Sequence, residues 1–472
     1  MKHDSSTASL AAVLRRTVDG LRPGDRLPPS RELVRVHGVS PVTVSRALGV
    51  LAAEGRVVTR PGSGTFVAPR PAGPRADSAD LSWQTVALDD RVVDASDVTA
   101  LLVQPSPGTP DDAVALTGGY LNASLRPAKA LATAATRAVR GPSAWDLPPL
   151  NGIAELRRWF AAEAGGDITP ADVIIASGGQ AALTHAFRAL AVPGAPVLVE
   201  TPTYPGALAA ARTLGLRVHA VPTDRYGVRP DLLAEAFAVT GARVFYCQPT
   251  LHNPTGATLP RDRREQVLAV ARAAGAFVIE DDYARYLTLA PVPPSMVTMD
   301  AHGTVVHINS LSKVVAPSVR VAGVTARGPA AHRLRAAQVV ESFFVALPLQ
   351  ETVMELVGSP SWGRHLTALS AQITARRDAL AAALAARAPE LEIHLMPQGG
   401  LHLWLRLPPE TDDAALADEA RRAGVLINAG RIFYPAEPPG PRIRVTHISA
   451  ANTAELDEGV RRLSMALRAR LG

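Results

Sequence analysis

The sequence predicts two unlike parts: a small basic helix-turn-helix head and a large α/β body built on a mostly parallel sheet. Three observations carry that prediction. The first seventy residues hold eleven Lys/Arg against five Asp/Glu, whereas the remaining chain holds 38 of each. From about residue 113, short apolar runs alternate with Ala- and Arg-rich helical stretches, the βαβ signature of a parallel sheet covered by helices. Between the two lies a stretch dense in Pro, Gly, Ser and Asp, including Pro69-Arg70-Pro71 and Gln104-Pro105-Ser106-Pro107. It reads as a linker. The expected divisions are 1–68 for the head, 69–112 for the linker and 113–472 for the body.

A chain of 472 residues is too long for one ordinary compact domain. Its hydrophobic fraction of 47% supplies a large core. An aromatic fraction of 4% argues against a base-stacking single-strand binder. The whole excess charge of +6 sits in the head, which marks that part as a module for a polyanion. One cysteine, Cys247, excludes an intrachain disulfide and a cysteine-cluster metal site. No metal is expected. The N-terminus lacks the apolar run of a signal peptide, and no apolar stretch is long enough to span a bilayer. A cytoplasmic protein is expected.

In the head, Ser30 is expected to cap a helix through Val36, and His37-Gly38-Val39 to turn the chain. Ser40-Pro41 opens a second helix, with serine at the cap and proline at the first position, where its missing N–H does no harm. Val44, Leu48 and Leu51 share one face of that helix. Thr43, Ser45 and Arg46 are expected on the other, facing a DNA major groove. Val57-Val58-Thr59-Arg60 and the Gly-rich Pro61–Val67 segment form two β segments of a wing.

The body contains apolar runs at 173–176, 197–200, 244–247, 277–280 and 305–308, each read as a strand. Four short motifs sit at strand ends, in chain order: Gly178-Gly179-Gln180, Asn253-Pro254-Thr255-Gly256, Asp281-Asp282-Tyr283 and Ser310-Leu311-Ser312-Lys313. In an open α/β sheet such ends converge on one ligand site. Lys313 is one of three lysines among 46 arginines. An arginine stays protonated, but an amine can lose its proton and attack a carbonyl. Lys2 is expected in a disordered tail, and Lys129 reads as a surface charge.

The set is coherent around pyridoxal 5′-phosphate. Lys313 would form the aldimine, and Asp281 would pair with the pyridinium nitrogen. Asn253 and Tyr283 would bond the phenolic oxygen. The backbone at Gly179 and Gln180, the Ser310 and Ser312 hydroxyls, and Arg320 would hold the phosphate. Tyr204 would stack on the ring. His252 reads as a structural neighbour of Asn253.

Leu27-Pro28-Pro29-Ser30-Arg31-Glu32-Leu33 and Arg60–Val67 make the head resemble the winged helix-turn-helix of the GntR family of bacterial repressors. By that resemblance Arg31, Ser40, Thr43, Ser45, Arg46 and Gly62 would face DNA. Pro41 departs from the arginine common at its position, which removes a phosphate or base contact. From about 115 onward the body resembles the fold-type I pyridoxal-phosphate aminotransferases, with a mostly parallel central sheet and a small C-terminal α+β subdomain. A GntR-like head joined to such a body resembles the MocR subfamily. In Pro441-Arg442-Ile443-Arg444, the resemblance implies an arginine for a substrate carboxylate, with Arg444 favoured and Arg442 its rival. Trp145 occupies a region that often supplies an aromatic residue to the site.

The family implies a head-to-tail homodimer on a double-stranded DNA operator. The expected function is a regulator that senses an amine or amino acid through exchange at Lys313. The alternatives are a working aminotransferase with a DNA-binding appendage and a sensor of the cofactor alone.

Overall fold

The structure is a computed structural model that describes residues 2–60, 64–68, 82–87, 95–102 and 109–471. It divides into two units, Met1–Val92 and Val93–Gly472.

The first unit opens with a helix over Lys2–Asp19, which takes in Lys2, expected in a disordered tail. Leu10, Ala11, Leu14 and Val18 recur at helical spacing and are buried, which is why this segment folds. Helix Ser30–His37 follows. Ser30 is its first helical residue rather than its cap: the capping position is Pro29, and no side chain closes that end. Gly38, at φ 64°, makes the left-handed turn. The Ser40 hydroxyl accepts the Thr43 N–H at 3.1 Å and so caps helix Pro41–Ala53. The two helices meet at 112°. Val44, Leu48 and Leu51 pack inward beside Leu14 and Leu33, each burial contributing roughly 1.5–3 kcal/mol. Strands β1 (Val57–Arg60) and β2 (Gly64–Val67) pair antiparallel as the wing. The tip, residues 61–63 with Gly62, lies outside the described residues.

The second unit is built on an eight-stranded sheet. Its strands are β4 (Val173–Ala176), β5 (Pro196–Thr201), β6 (Arg217–Asp224), β7 (Gly227–Val228), β8 (Val244–Cys247), β9 (Phe277–Asp281), β10 (Val305–Ser310) and β11 (Ala322–Thr325), with β3 (Val114–Ala115) lying apart. The spatial order is β4-β11-β10-β9-β8-β5-β6-β7. Five of these coincide closely with the apolar runs read from sequence. Strand β11 enters between β4 and β10 and runs antiparallel to both, a pairing that periodicity alone does not specify. Successive residues alternate across the sheet. Val197, Val199 and Tyr246 meet helix Gly179–Leu190 through Ala182, Leu183 and Phe187. Leu198, Phe245 and Val278 meet Leu233, Phe237 and Val267 on the other face.

A smaller subdomain holds strands β12 (Glu392–Ile393), β13 (His402–Arg406), β15 (Asn428–Ala429) and β16 (Arg442–Thr446), in the order β12-β13-β16-β15, while β14 (Val425–Leu426) pairs with β3. Helices Pro360–Arg387 and Thr453–Leu471 cover it. The expected linker does not extend to residue 112 as free chain. Ser96–Thr99 is helical, and Leu101 is buried among Trp404, Phe433 and Tyr434. Among the described residues, no single helix is long and apolar enough to cross a membrane.

Candidate functional site

A cavity of about 190 Å³ opens where β4, β8, β9 and β10 end. Every body residue expected to hold the cofactor lines it, as does Arg444. The parallel strands explain the convergence: each ends on the same edge and turns into a loop there.

Lys313 ends a short 3₁₀ turn, Leu311–Lys313, directly after β10. Its Nζ stands 3.8 Å from the centroid of the Tyr120 ring. Gly119 passes so close that a Cβ there would lie 3.2 Å from that Nζ. Burial is the main cause that lowers the lysine to about 7; the Arg444 and Arg320 charges add to it, and Asp281 opposes it.

Asp281 ends β9. Burial raises its pKa, while hydrogen bonds from Gln248 and Tyr246 work the other way. Tyr246 Oη and Gln248 Nε2 both donate to its Oδ2, each at 2.8 Å. Gln248 also accepts the Asn253 N–H through Oε1 at 3.2 Å, and its own N–H donates to Glu200 at 2.8 Å. One glutamine thus fixes both Asp281 and Asn253. Asn253 Oδ1 accepts from Arg444 Nη1 at 2.9 Å. The Tyr283 hydroxyl donates to the Leu251 carbonyl at 2.6 Å, and burial raises its pKa.

At the other end, Gly178 precedes helix Gly179–Leu190 with φ 85°, and a Cβ there would stand 2.8 Å from Arg320 Cζ. Only glycine admits the guanidinium at that place. Arg320, itself left-handed at φ 48°, donates to the Ser177 carbonyl at 3.0 Å. The Ser312 hydroxyl is buried with no protein partner. The Gln180 side chain is committed elsewhere: its Nε2 donates to Gly206 O at 2.9 Å, and its Oε1 accepts from Tyr204 at 3.0 Å.

Arg444 lies on β16 opposite Trp404 and Asn428. It is buried and donates to Asn253, the Gly118 carbonyl and Asn428 at 2.8–2.9 Å. All three acceptors are neutral, and Nε has no partner. Burial lowers the guanidinium to about 10. Arg442 does not line the cavity.

Sequence reasoning missed several lining residues: Tyr120, Gln248, His402, and the aliphatic trio Val98, Leu101 and Leu102. Gly118-Gly119-Tyr120 resembles an ordinary turn, and the trio fell inside the expected linker. Trp145 is 79% exposed and is not brought to the cavity. His252 is buried beside Thr255 and Glu200, at 2.9 and 3.3 Å, in a supporting position.

In the head, Arg31, Ser40, Ser45 and Arg46 are exposed. Thr43 is not: it is buried, its hydroxyl 2.8 Å from that of Ser40. The expected outward position of Thr43 is therefore corrected: at i, i+4 and i+8 it shares the packed face of Ala47 and Leu51. Val42 is 60% exposed on the same helix, a surface position the sequence pattern did not single out. Arg15 and Arg56 are taken up by Glu54 and Asp19.

Residues 117–463 match the family model described as aminotransferase class I and II, and residues 8–67 match that of bacterial regulatory proteins, gntR family. An uncharacterised HTH-type transcriptional regulator of Escherichia coli is 30% identical, with 88% of this chain and 89% of that protein covered. The HTH-type transcriptional regulator TauR of Rhodobacter capsulatus is 29% identical over 95% of this chain and 93% of its own. A solved α-aminoadipate aminotransferase of Thermus thermophilus, complexed with N-(5′-phosphopyridoxyl)-L-leucine, superposes with a TM-score of 0.76 at 28% identity; it covers 83% of this chain and 99% of its own. Pyridoxal 5′-phosphate is the cofactor of this aminotransferase class. The chain belongs to the class I and II aminotransferase family and, with its gntR-family head, is a transcription regulator of the MocR type carrying an aminotransferase-like domain.

Proposed function

We propose that this cavity binds pyridoxal 5′-phosphate at Lys313 and reports an amine or amino acid to the DNA-reading head. The observation that carries this reading is the convergence of Lys313, Asp281, Asn253, Arg320 and Arg444 on one cavity. Two features fit the phosphate: the Ser312 hydroxyl, which lines the cavity, is buried without a protein partner, and the missing side chain of Gly178 lets the Arg320 guanidinium lie against the start of helix Gly179–Leu190.

Lys313 would hold the aldehyde carbon and Asp281 the ring nitrogen. Asn253 and Tyr283 would hold the phenolic oxygen, and Tyr204 the ring face. The backbone of Gly179 and Gln180, with Ser310, Ser312 and Arg320, would hold the phosphate at a helix N-terminus. Arg444 would take the ligand's carboxylate. The cofactor supplies an aldehyde that condenses with primary amines and a ring that withdraws electrons. Lys313, lowered to about 7, presents a substantial fraction of free amine at neutral pH. Arg444 offers a buried cation whose present acceptors are all neutral, so a carboxylate is its natural counter-charge.

Arg31, Ser45, Arg46 and the wing would contact duplex DNA, with Val42 beside them and Ser40 fixing the helix start. A homodimer would present two heads. Leu150, Val339 and Val340 line an open apolar depression that supports such a contact. Ligand control of DNA binding then requires different ligand affinities in two arrangements.

A second reading, a working aminotransferase, is favoured by one observation: a 2-aminoadipate transaminase of Thermus thermophilus is 29% identical over 74% of this chain. Lys313→Ala is expected to abolish the visible absorbance of the cofactor-loaded protein, and an unchanged spectrum refutes the assignment. Slow or absent multiple turnover with amino acids and a keto acid supports the regulator; rapid turnover supports the enzyme.

A further inference from the structure

Three aliphatic residues of the cavity come from outside the expected body. Val98, Leu101 and Leu102 sit on and just after the helical turn Ser96–Thr99. Their i, i+3, i+4 spacing puts them on one face. Leu101 is 7% exposed and anchors the segment against Trp404, Phe433 and Tyr434, whereas Leu102 is 39% exposed although it lines the cavity. Leu183 and Leu401 add further aliphatic lining. The charged groups lining the cavity among the described residues are Lys313, Asp281, Arg320 and Arg444. Each already has a place in the proposed function, so among the described residues of this chain none remains to pair with a charge on the ligand's side chain.

One buried amide ties this segment to Arg444. Asn428 Nδ2 donates to the Ala100 carbonyl at 2.7 Å, while its Oδ1 accepts from Arg444 Nη2 and Thr117 Oγ1, both at 2.8 Å. Asn428 faces Arg444 across the β15–β16 pair. An amide is needed because the position must accept on one side and donate on the other.

We propose that Val98, Leu101 and Leu102 form the wall that reads the ligand's side chain, and that Asn428 is the positioning residue holding this wall in register with Arg444. The ligand class follows: an amine bearing a carboxylate and an uncharged, apolar side chain. The carboxylate engages Arg444 while the side chain covers the aliphatic face, so a single ligand seats segment 95–102. That segment is also where the chain coming from the head enters the body. The inference rests on the function proposed above for this cavity.

The test uses the full-length, cofactor-loaded protein with L-leucine, L-alanine and L-glutamate as probes. Occupancy is read from the cofactor's visible spectrum, and segment seating from hydrogen exchange at amides 96–102. Leucine carries three more carbons than alanine, and at about 0.8 kcal/mol per buried methylene it should bind at least about tenfold more tightly. Glutamate should bind more weakly than leucine. Saturating leucine should slow exchange at 96–102. Leu101→Ala, and the more exposed Leu102→Ala should Leu101→Ala misfold, should shrink the leucine preference to below about threefold. Asn428→Asp is nearly isosteric but sets an acceptor against the Ala100 carbonyl. It should raise exchange at 96–102 with or without leucine, and a wild-type rate refutes the positioning role. Equal binding of leucine and alanine, tighter glutamate binding, an undiminished leucine preference in the variants, or no slowing with leucine overturns the apolar wall. A spectrum that responds to no amine overturns the proposed function instead.

Discussion

The depressed Lys313 amine makes the stability of the cofactor-free protein depend on pH in a calculable way. Its pKa falls from an ordinary 10.5 to about 7 because the folded chain buries it beside Arg444 and Arg320. Below pH 7 both the folded and the unfolded chains carry the proton, and holding the charged amine in this cavity costs roughly 4–5 kcal/mol. Between pH 7 and 10.5 the unfolded chain keeps a proton that the folded chain has released. The unfolded state then binds more protons, so stability rises with pH, by about 2 kcal/mol between pH 7 and 9. Lys313→Met keeps an unbranched side chain, one heavy atom shorter, and cannot titrate. Its stability advantage over wild type should be largest near pH 6 and shrink by about 2 kcal/mol by pH 9. Denaturant titrations at pH 6, 7, 8 and 9, followed through the buried Trp404 and Trp362, measure this difference. A difference that stays constant within about 0.5 kcal/mol over that range refutes the depressed lysine.

Other consequences concern separate parts of the molecule. Arg320→Met would remove the charge-assisted bonds proposed for the phosphate and should weaken cofactor binding about 10- to 100-fold, measured by absorbance titration; unchanged affinity removes Arg320 from the proposed site. Arg46→Gln should lower the magnitude of the log–log salt slope of DNA binding by about one, while the cofactor spectrum stays as in wild type. Leu51 is fully buried in the head core, so Leu51→Ala should destabilise that unit by about 2–5 kcal/mol and abolish DNA binding, with the cofactor absorbance retained. Joint loss of both signals would show that the two units do not fold independently.

The large unit was legible because its strands are short, wholly apolar and punctuated by small residues. The runs that became β4, β5, β8, β9 and β10 matched the structure to within one or two residues, since burial on both faces leaves an unbroken apolar pattern. Strand β11 was not visible as a partner of β4 and β10, because pairing between strands distant in sequence leaves no periodic trace. The site motifs were legible for a related reason: parallel strands end on one edge, so four motifs in four loops had to meet. In the head, the buried stripe Val44, Leu48 and Leu51 followed from spacing, but Thr43 was misplaced. Thr43 lies four residues before the buried Ala47 and eight before the buried Leu51, so helical spacing puts it at the edge of the packed face rather than on the outer one.

By itself, the sequence determined the two-part organisation, the net charge concentrated in the head, the order of the four strand-end motifs and the lysine that closes the last of them. Those properties are local or additive along the chain. Tertiary structure alone decided which arginine of 442 and 444 enters the cavity, which glutamine braces Asp281, and that residues 98–102 leave the linker to become a wall of the site. Each depends on contacts between segments far apart in sequence: Asn428 reaches Ala100 across more than three hundred residues, and Arg444 reaches Gly118 and Asn253. Such contacts form only where packing closes the chain on itself, and no pattern within a single segment encodes them.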